Sequence, residues 1–204
     1  MKKQLHVIST GQQSQQELIN KLEMIHQEVD AIHLREKNWS ARELIDVIRQ
    51  LTAIGIAHEK LIVNDRADVA SIMKIKGVHL AYHSMDVSLV SDAFPSLQIG
   101  RSVHSIEEAV KAEEKGAHYL LYGHIYETSS KLGIPPKGLQ DLQYMNDNIS
   151  IPMIAIGGIT PENTKEIIHK GVAGIAVMSG ILLSADPKET VKKYRAILDE
   201  GDKQ

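Results

Sequence analysis

Two short turns in the last quarter of the chain have the composition of an anion-binding site. The first lies in Ala155-Ile156-Gly157-Gly158-Ile159-Thr160 and the second in Val177-Met178-Ser179-Gly180-Ile181. Glycine lets the backbone approach a ligand closely, and free N–H groups at a helix start carry partial positive charge. We therefore expect a phosphate of a small molecule to bind the N–H groups of the residues at the two turns, Gly157, Gly158, Ser179 and Gly180.

Two cationic side chains follow an apolar run earlier in the chain, at Arg35 and Lys37. If Leu34 faces outward from a strand, the alternation of side chains makes Arg35 face the opposite way, toward a ligand. A guanidinium binds carboxylate or phosphate through two parallel hydrogen bonds, and Lys37 adds a second positive charge. The alternative is a structural ion pair of Arg35 with Glu36 or Asp65.

Polar residues also end two other apolar runs. Asn64 and Asp65 offer oxygen atoms that suit a divalent cation, a ligand contact or an ordinary turn. Ser102 follows Gln98 and Gly100 at alternate positions, so it faces the same side of its strand as they do. Ser102 is therefore a candidate ligand contact, with helix capping as the alternative.

His124 follows Gly123 at the end of another apolar run. Imidazole is the side chain there whose ordinary pKa lies near neutrality, so His124 is the leading candidate for a general acid or base, and Glu127 is the second. The chain has ten histidines, so a structural role for His124 is the alternative. Three residues of the following loop are candidate ligand contacts: Thr128, Ser130 and Lys131.

Eight short apolar strands alternate with amphipathic segments along the chain. The predicted strands are Gln4–Ile8, Ala31–Arg35, Lys60–Asn64, Gly77–Leu80, Leu97–Gly100, His118–Tyr122, Ile151–Ile156 and Gly174–Val177. The predicted helices are Ser14–Glu28, Ser40–Ile54, a short one within Asp86–Phe94, Ser105–Lys115, Thr160–Lys170 and Pro187–Glu200.

This alternation predicts a (β/α)8 TIM barrel, an α/β fold, as a single domain over residues 1–204 with a frayed tail at 201–204. An open doubly wound sheet is less favoured, because no G-x-G-x-x-G turn follows the first strand. Chemistry in TIM barrels lies at the C-terminal ends of the strands, where all the residues above are expected to meet.

Composition excludes several functional classes. The net charge of −3 and the 4% aromatic content do not favour nucleic acid or an anionic membrane surface as a partner. No run reaches the ~18–20 apolar residues of a membrane span. The chain has no cysteine, which excludes disulfides and thiolate metal sites and suits a reducing compartment. We expect a cytoplasmic protein without a metal or cofactor, and we predict no zinc site at His79 and His83, since a strand does not place them on one face.

Taken together, these motifs resemble the thiamin phosphate synthase family over nearly the whole chain. The resemblance rests on these segments: His33-Leu34-Arg35-Glu36-Lys37, Val63-Asn64-Asp65-Arg66, Gly77-Val78-His79-Leu80, Ile99-Gly100-Arg101-Ser102 and Gly157-Gly158-Ile159-Thr160-Pro161-Glu162-Asn163. The chain departs from the family pattern at two places. Ala81-Tyr82-His83-Ser84 lacks the carboxylate that binds magnesium in the family, and His124 and Glu127 replace two prolines of the strand-six loop.

These departures resemble the TenI-type branch, and that resemblance implies a thiazole tautomerase. It implies an isomerase that needs no cofactor, aromatises a carboxylated thiazole phosphate and uses His124 as the proton shuttle. In that reaction the turns at Gly157 and Ser179 would hold the phosphate, while Arg35 and Lys37 would hold the ring carboxylate or assist the phosphate.

Three alternatives stay open. The first is a magnesium-dependent synthase that couples a thiazole phosphate to a pyrimidine pyrophosphate, as Arg35, Lys37, Asn64 and Asp65 would permit. The second is a regulatory protein that binds the phosphorylated ligand without turnover. The third is another phosphate-binding barrel isomerase. A homo-oligomer is an expectation from the frequency of oligomers among soluble enzymes.

Overall fold

Eight parallel strands close into a barrel in the computed structural model, which describes residues 2–201. Each strand pairs with the next in sequence, and the last pairs with the first. The strands are β1 Gln4–Ile8, β2 Ala31–Leu34, β3 Leu61–Asn64, β4 Gly77–Leu80, β5 Gln98–Val103, β6 Tyr119–Gly123, β7 Met153–Ile156 and β8 Gly174–Val177. The predicted (β/α)8 barrel is confirmed.

Helices follow every strand and surround the barrel. They are α1 Gln15–Ile25, α2 Ala41–Ala53, α3 Ala67–Met73, α4 Val87–Ala93, α5 Ile106–Glu114, α6 Gly138–Asn148, α7 Pro161–Ile168, α8 Ser179–Leu182 and α9 Pro187–Gly201. Short 3-10 turns occupy His58–Lys60 and Ser129–Lys131. Within residues 2–201, no helix is both long enough and apolar enough to cross a bilayer.

Three helices were not predicted, and the predicted bounds of β2, β3, β5, β6 and β7 differ from those observed, most of all for β5. The missing helices are α3, α6 and the single turn α8. Strand β5 continues to Val103 instead of ending at Gly100, so Arg101 and Ser102 belong to the sheet and pair with Leu120 and Leu121. Gly201 lies in α9 rather than in a frayed tail, and residues 202–204 lie outside the described residues.

Two apolar layers hold the barrel. The larger layer lies between the strands and the helices and includes Leu34, Leu44 and Val63. The smaller layer fills the barrel interior with inward-facing side chains: Ile8, Ala31, Ile62, Tyr119, Leu121, Ile154 and Ala176. Leu34 therefore faces the helices, which is the orientation that places Arg35 on the opposite side of the strand.

A polar group also lies inside the barrel, formed by His6, His33, His79 and Tyr119, and is called here the histidine cluster. Because an amide oxygen only accepts, His6 Nε2 donates to the Gln4 side chain at 2.9 Å. A neutral His6 then accepts at Nδ1 from His33 Nε2 at 3.0 Å. That leaves His33 Nδ1 as a buried lone pair with no partner in the described part of the chain.

The histidine cluster is uncharged. Burial lowers the pKa of His6 and of His79 from 6.5 to about 3, and it lowers the pKa of His33 well below 6.5. Burial disfavours an imidazolium because the interior solvates charge poorly. The positive charge of Lys76 lowers the pKa of His6 further, whereas the negative charge of Asp30 raises it.

Candidate active site

One cavity of about 680 Å³ opens at the C-terminal ends of the strands, the barrel mouth. Every residue that the sequence marked as a site residue lines it: Arg35, Lys37, Asn64, Ser102, His124, Thr128, Ser130, Lys131, Gly157, Gly158, Ser179 and Gly180. The structure brings these residues together, while the roles assigned to them remain predictions.

The turn after β7 requires glycine at two successive positions. Gly157 and Gly158 have φ of +100° and +67°, in the left-handed region that other residues rarely adopt. A Cβ on Gly157 would lie 2.2 Å from the His124 Cβ, and one on Gly158 would lie 2.4 Å from the Glu127 carbonyl oxygen. The turn after β7 therefore packs directly against the segment that follows β6.

Side chains from two helices fix this turn. Asn163 in α7 accepts from the Thr160 N–H at 2.9 Å and donates to the Gly158 carbonyl at 3.0 Å. Tyr194 in α9 donates from its hydroxyl to the Ile159 carbonyl at 2.9 Å. The predicted helix start at Thr160 and Pro161 is confirmed.

The second turn leads into α8, and Ser179 and Gly180 are its first two residues. The N–H groups of Ile181 and Leu182 bond to the Met178 carbonyl. The N–H groups of Ser179 and Gly180 take part in none of the backbone hydrogen bonds of the described residues. Donors from both turns therefore reach one cavity, which is the arrangement expected for a phosphate.

Cationic side chains line the cavity on two opposite sides of the barrel mouth. Arg35 and Lys37 follow β2, and Lys131 lies in the loop after β6, four strands away in an eight-stranded barrel. The Arg35 N–H donates to Ser9 Oγ at 2.8 Å, which fixes the end of β2. Among residues 2–201, neither Arg35, Lys37 nor Lys131 has a carboxylate within 4.0 Å, so the alternative ion pair of Arg35 is not present.

Asn64 and Asp65 provide oxygen atoms at the end of β3. Asp65 has φ of +63°, its carboxylate accepts from the Ser84 hydroxyl, and it lies 3.7 Å from His83 Nε2. Asn64 Oδ1 is buried and has no partner within the described ranges. The described residues contain no cluster of three or more His, Cys, Asp or Glu that could hold a metal. One carboxylate still fits magnesium, which often takes one or two carboxylates together with water and substrate phosphate.

The cavity floor is polar and neutral, a feature that the sequence analysis missed. His79 Nε2 lies 2.8 Å from Ser102 Oγ, and His79 Nδ1 lies 3.3 Å from the Tyr119 hydroxyl. The available signal was the side-chain alternation along β4, which places Gly77 and His79 on the same face of the strand, toward the barrel interior. A neutral floor of donors and acceptors suits an uncharged polar ring better than a charged group.

His124 is held in one orientation at the cavity wall. It is 4% exposed, and its Nε2 donates to the Ile134 carbonyl at 3.1 Å, because a carbonyl only accepts. In the neutral ring the remaining nitrogen, Nδ1, is therefore an acceptor. His104, which the sequence analysis gave no role, also lines the cavity.

Comparison with known proteins shows which family the chain resembles. A family model described as thiamine monophosphate synthase, TMP-TENI, matches residues 5–181. The thiamine-phosphate synthase of Pyrococcus abyssi is 36% identical over 171 residues, 83% of each chain. The thiamine-phosphate synthase of Chlorobium luteolum is 40% identical over 171 residues, 82% of this chain and 81% of the relative.

Two solved structures share the fold of this chain, and the first of them is also similar in sequence. Thiamine phosphate pyrophosphorylase from Pyrococcus furiosus superposes with a TM-score of 0.83 at 33% identity, covering 98% of this chain and 97% of the other. The 3-hexulose-6-phosphate synthase of Salmonella typhimurium superposes with a TM-score of 0.76 at 17% identity, covering 97% of this chain and 99% of the other, and shares the fold.

These relatives contradict the prediction of a TenI-type thiazole tautomerase and of an isomerase. They are named synthases, which are transferases, and the match extends over more than four fifths of both chains. The prediction rested on a few loop positions, His124, Glu127 and the segment after β4, and these weigh less than a relationship along the whole barrel. The chain belongs to the thiamine monophosphate synthase family, TMP-TENI.

Proposed function

We propose that this chain is a thiamine-phosphate synthase, which couples a thiazole phosphate to a pyrimidine pyrophosphate. The observation that carries the proposal is the 36–40% identity to proteins of that name over more than four fifths of both chains. The cavity supports it, because one chamber contains two glycine turns and two separate groups of cations. The cysteine-free chain fits a cytoplasmic location.

The turns at Gly157–Gly158 and Ser179–Gly180 bind the phosphate of the thiazole in this proposal. Their N–H groups approach a ligand closely because no side chain intervenes at the glycines. The contact between Gly158 and the Glu127 carbonyl keeps this turn and the β6 loop in register.

The charged groups after β2 and β6 bind the pyrophosphate. Arg35, Lys37 and Lys131 have no carboxylate partner within residues 2–201, so their charges are available to an anion. Thr128 and Ser130 add hydroxyl donors from the same loop as Lys131. The pyrimidine, a neutral polar ring, fits the floor formed by His79, Ser102 and the unpartnered Asn64 Oδ1.

The reaction forms one bond and breaks one. The thiazole nitrogen bonds to the carbon that carries the pyrophosphate, while the bond from that carbon to oxygen breaks and pyrophosphate leaves with the electron pair. Arg35, Lys37 and Lys131 stabilise the negative charge that accumulates on the departing group. Magnesium, which Asp65 would hold, neutralises phosphate charge when bound. No proton transfer is required, so His124 acts as a wall contact that orients the substrates.

A coupling assay tests the proposal. Purified protein is given both substrates with magnesium, and release of pyrophosphate and formation of thiamine phosphate are measured in equal amounts. The Lys131→Met variant should lower kcat/KM by about 10–100-fold, because a hydrogen bond to a charged group contributes about 1.5–3 kcal/mol. No coupling at any magnesium concentration, from protein that binds both substrates, would overturn the proposal.

A further inference from the structure

His104 is a titratable group in the cavity to which no role has yet been given. It directly follows β5, is half-buried and lines the cavity together with Lys131. Its Nδ1 lies 3.1 Å from the Gly123 carbonyl, which can only accept. Nδ1 therefore carries a hydrogen in every protonation state, and the proton that comes and goes is the one on Nε2.

The main chain at His104 is fixed independently of its ring. Its N–H donates to the Glu108 carboxylate at 2.7 Å. Ser105 Oγ accepts from the Glu108 N–H, so Ser105 caps α5 while Glu108 reaches back one residue further than a capping box would place it. Ring and backbone are thus both anchored, and protonation changes Nε2 from an acceptor to a charged donor without moving the residue.

The surroundings of His104 contain more positive than negative charge. Burial lowers the pKa of His104, and the charges of Lys131 and Lys137 lower it further, whereas Glu108 and the bond to Gly123 raise it. Burial, followed by the charge of Lys137, lowers the pKa of Lys131 as well. Neither lysine has a carboxylate within 4.0 Å in the part of the chain described here.

Other titratable groups share the cavity and act on the same ligand. They are Arg35, Glu36, Lys37, Asp65, His79, Tyr82, His83, His124 and Glu127. Of these, none is among the groups whose charge shifts the pKa of His104. The charged neighbours of the neutral His104 imidazole are two lysines and one anion, Glu108, on the helix side. When a phosphate binds beside this imidazole, the negative charge of the phosphate favours the protonated form, so His104 gains a proton.

We propose that protonated His104 and Lys131 form a proton-dependent subsite for a diphosphate group. Lys131 supplies a permanent charge, and His104 Nε2–H donates a second charge-assisted hydrogen bond only when the ring is protonated. The subsite lies after β5 and β6, whereas the turns that bind the thiazole phosphate follow β7 and β8. The inference rests on the proposed function for its biological ligand but not for its binding chemistry.

The consequence is pH-dependent affinity. Diphosphate should bind more tightly at pH 6 than at pH 8, because binding takes up a proton at His104. Release is then favoured at higher pH, when the imidazole is neutral and no longer donates. The size of the effect is about tenfold, within the range of a hydrogen bond to a charged group.

Calorimetric titration with inorganic pyrophosphate, without metal, from pH 5.5 to 8.5 tests this inference. His104→Asn keeps an N–H donor at the Nδ1 position for the Gly123 carbonyl and removes Nε2. We expect this variant to bind about tenfold more weakly than wild type at pH 6 and equally at pH 8. Because pyrophosphate itself titrates, the quantity to compare is the ratio of the two dissociation constants at each pH.

Two controls make the outcome specific. Lys131→Met should weaken binding at every pH, and His169→Gln, at an exposed position outside the cavity, should follow wild type. A ratio for His104→Asn that does not change with pH, or no pyrophosphate binding by the folded wild type, would overturn the inference. A pH-dependent ratio in a protein that shows no coupling would sustain the subsite and refute the proposed function.

Discussion

Acidification should destabilise this barrel through the histidine cluster, and replacing His33 should remove a defined part of that effect. The folded pKa of His33 lies well below its unfolded value near 6.5. Below pH 6.5 the unfolded chain therefore binds a proton that the folded chain does not, and stability falls with falling pH. The effect is absent above about pH 7.5 and grows toward acid.

The magnitude follows from the shift. Each such histidine costs about 1.36 kcal/mol per pH unit below 6.5, or about 2.7 kcal/mol between pH 7.5 and pH 4.5. His6, whose folded pKa is about 3, contributes in the same window and in the same direction. Asp30 and Asp86 also have lowered pKa values, but their contributions are lost mainly at lower pH. Comparison with a histidine variant isolates the histidine contribution in this range, because the lowered pKa values of Asp30 and Asp86 and the pKa of Glu36, which burial raises, are common to both proteins.

Urea unfolding of wild type and of His33→Gln between about pH 4.5 and 8 measures how the free energy of unfolding depends on pH. Glutamine keeps a donor for His6 Nδ1 and does not titrate, so the slope of unfolding free energy against pH should fall by about 1.36 kcal/mol per unit. The exposed His169→Gln variant is the matched control and should keep the wild-type slope. Equal slopes for His33→Gln and wild type below pH 6 would refute the reasoning.

Three other substitutions have defined outcomes. Gly158→Ala should lose about 1–3 kcal/mol of stability from backbone strain and raise KM for the phosphorylated thiazole, because its Cβ would meet the Glu127 carbonyl; unchanged urea midpoints would contradict this. Asp65→Asn should leave the circular dichroism spectrum unchanged, because asparagine tolerates the positive φ at this position. The variant should raise the magnesium concentration for half-maximal coupling by about tenfold, and an unaltered magnesium titration would exclude Asp65 as the ligand. Ile154→Ala in the barrel interior should lower stability by about 2–5 kcal/mol in urea unfolding while kcat at saturation stays near wild type, and a comparable loss in kcat would mean that the core shapes the site.

The barrel could be predicted from the sequence because its strands are short apolar runs at regular intervals. Predicted and observed bounds coincide for β1, β4 and β8. β5 was predicted too short because Arg101 and Ser102 are polar, and polar residues after an apolar run hide continued strand pairing. α6 follows a loop with two prolines and has no capping side chain, so its start carries no sequence signal.

The site was predictable where its residues end strands, and less so where it depends on packing. Glycine and cationic residues at the ends of β2 and β7 indicated a shared cavity because parallel strands bring their C-terminal ends together. The histidine cluster was missed because His6, His33 and His79 lie on three strands, far apart in sequence, and meet only when the barrel closes. The subgroup was predicted wrongly because a few loop substitutions were weighed above the whole chain.

The contacts of Gly157 and Gly158 with His124 and Glu127 have a consequence for how the mouth can change. The two loops pack directly against each other at these glycines, and the Tyr126 hydroxyl donates to Glu166 in α7, which joins them a second time. Lengthening or reshaping either loop would displace its neighbour. Redesign of substrate preference would therefore have to alter the β6 and β7 loops jointly, just as a change in the β2 loop would have to respect its hydrogen bond from Arg35 to Ser9.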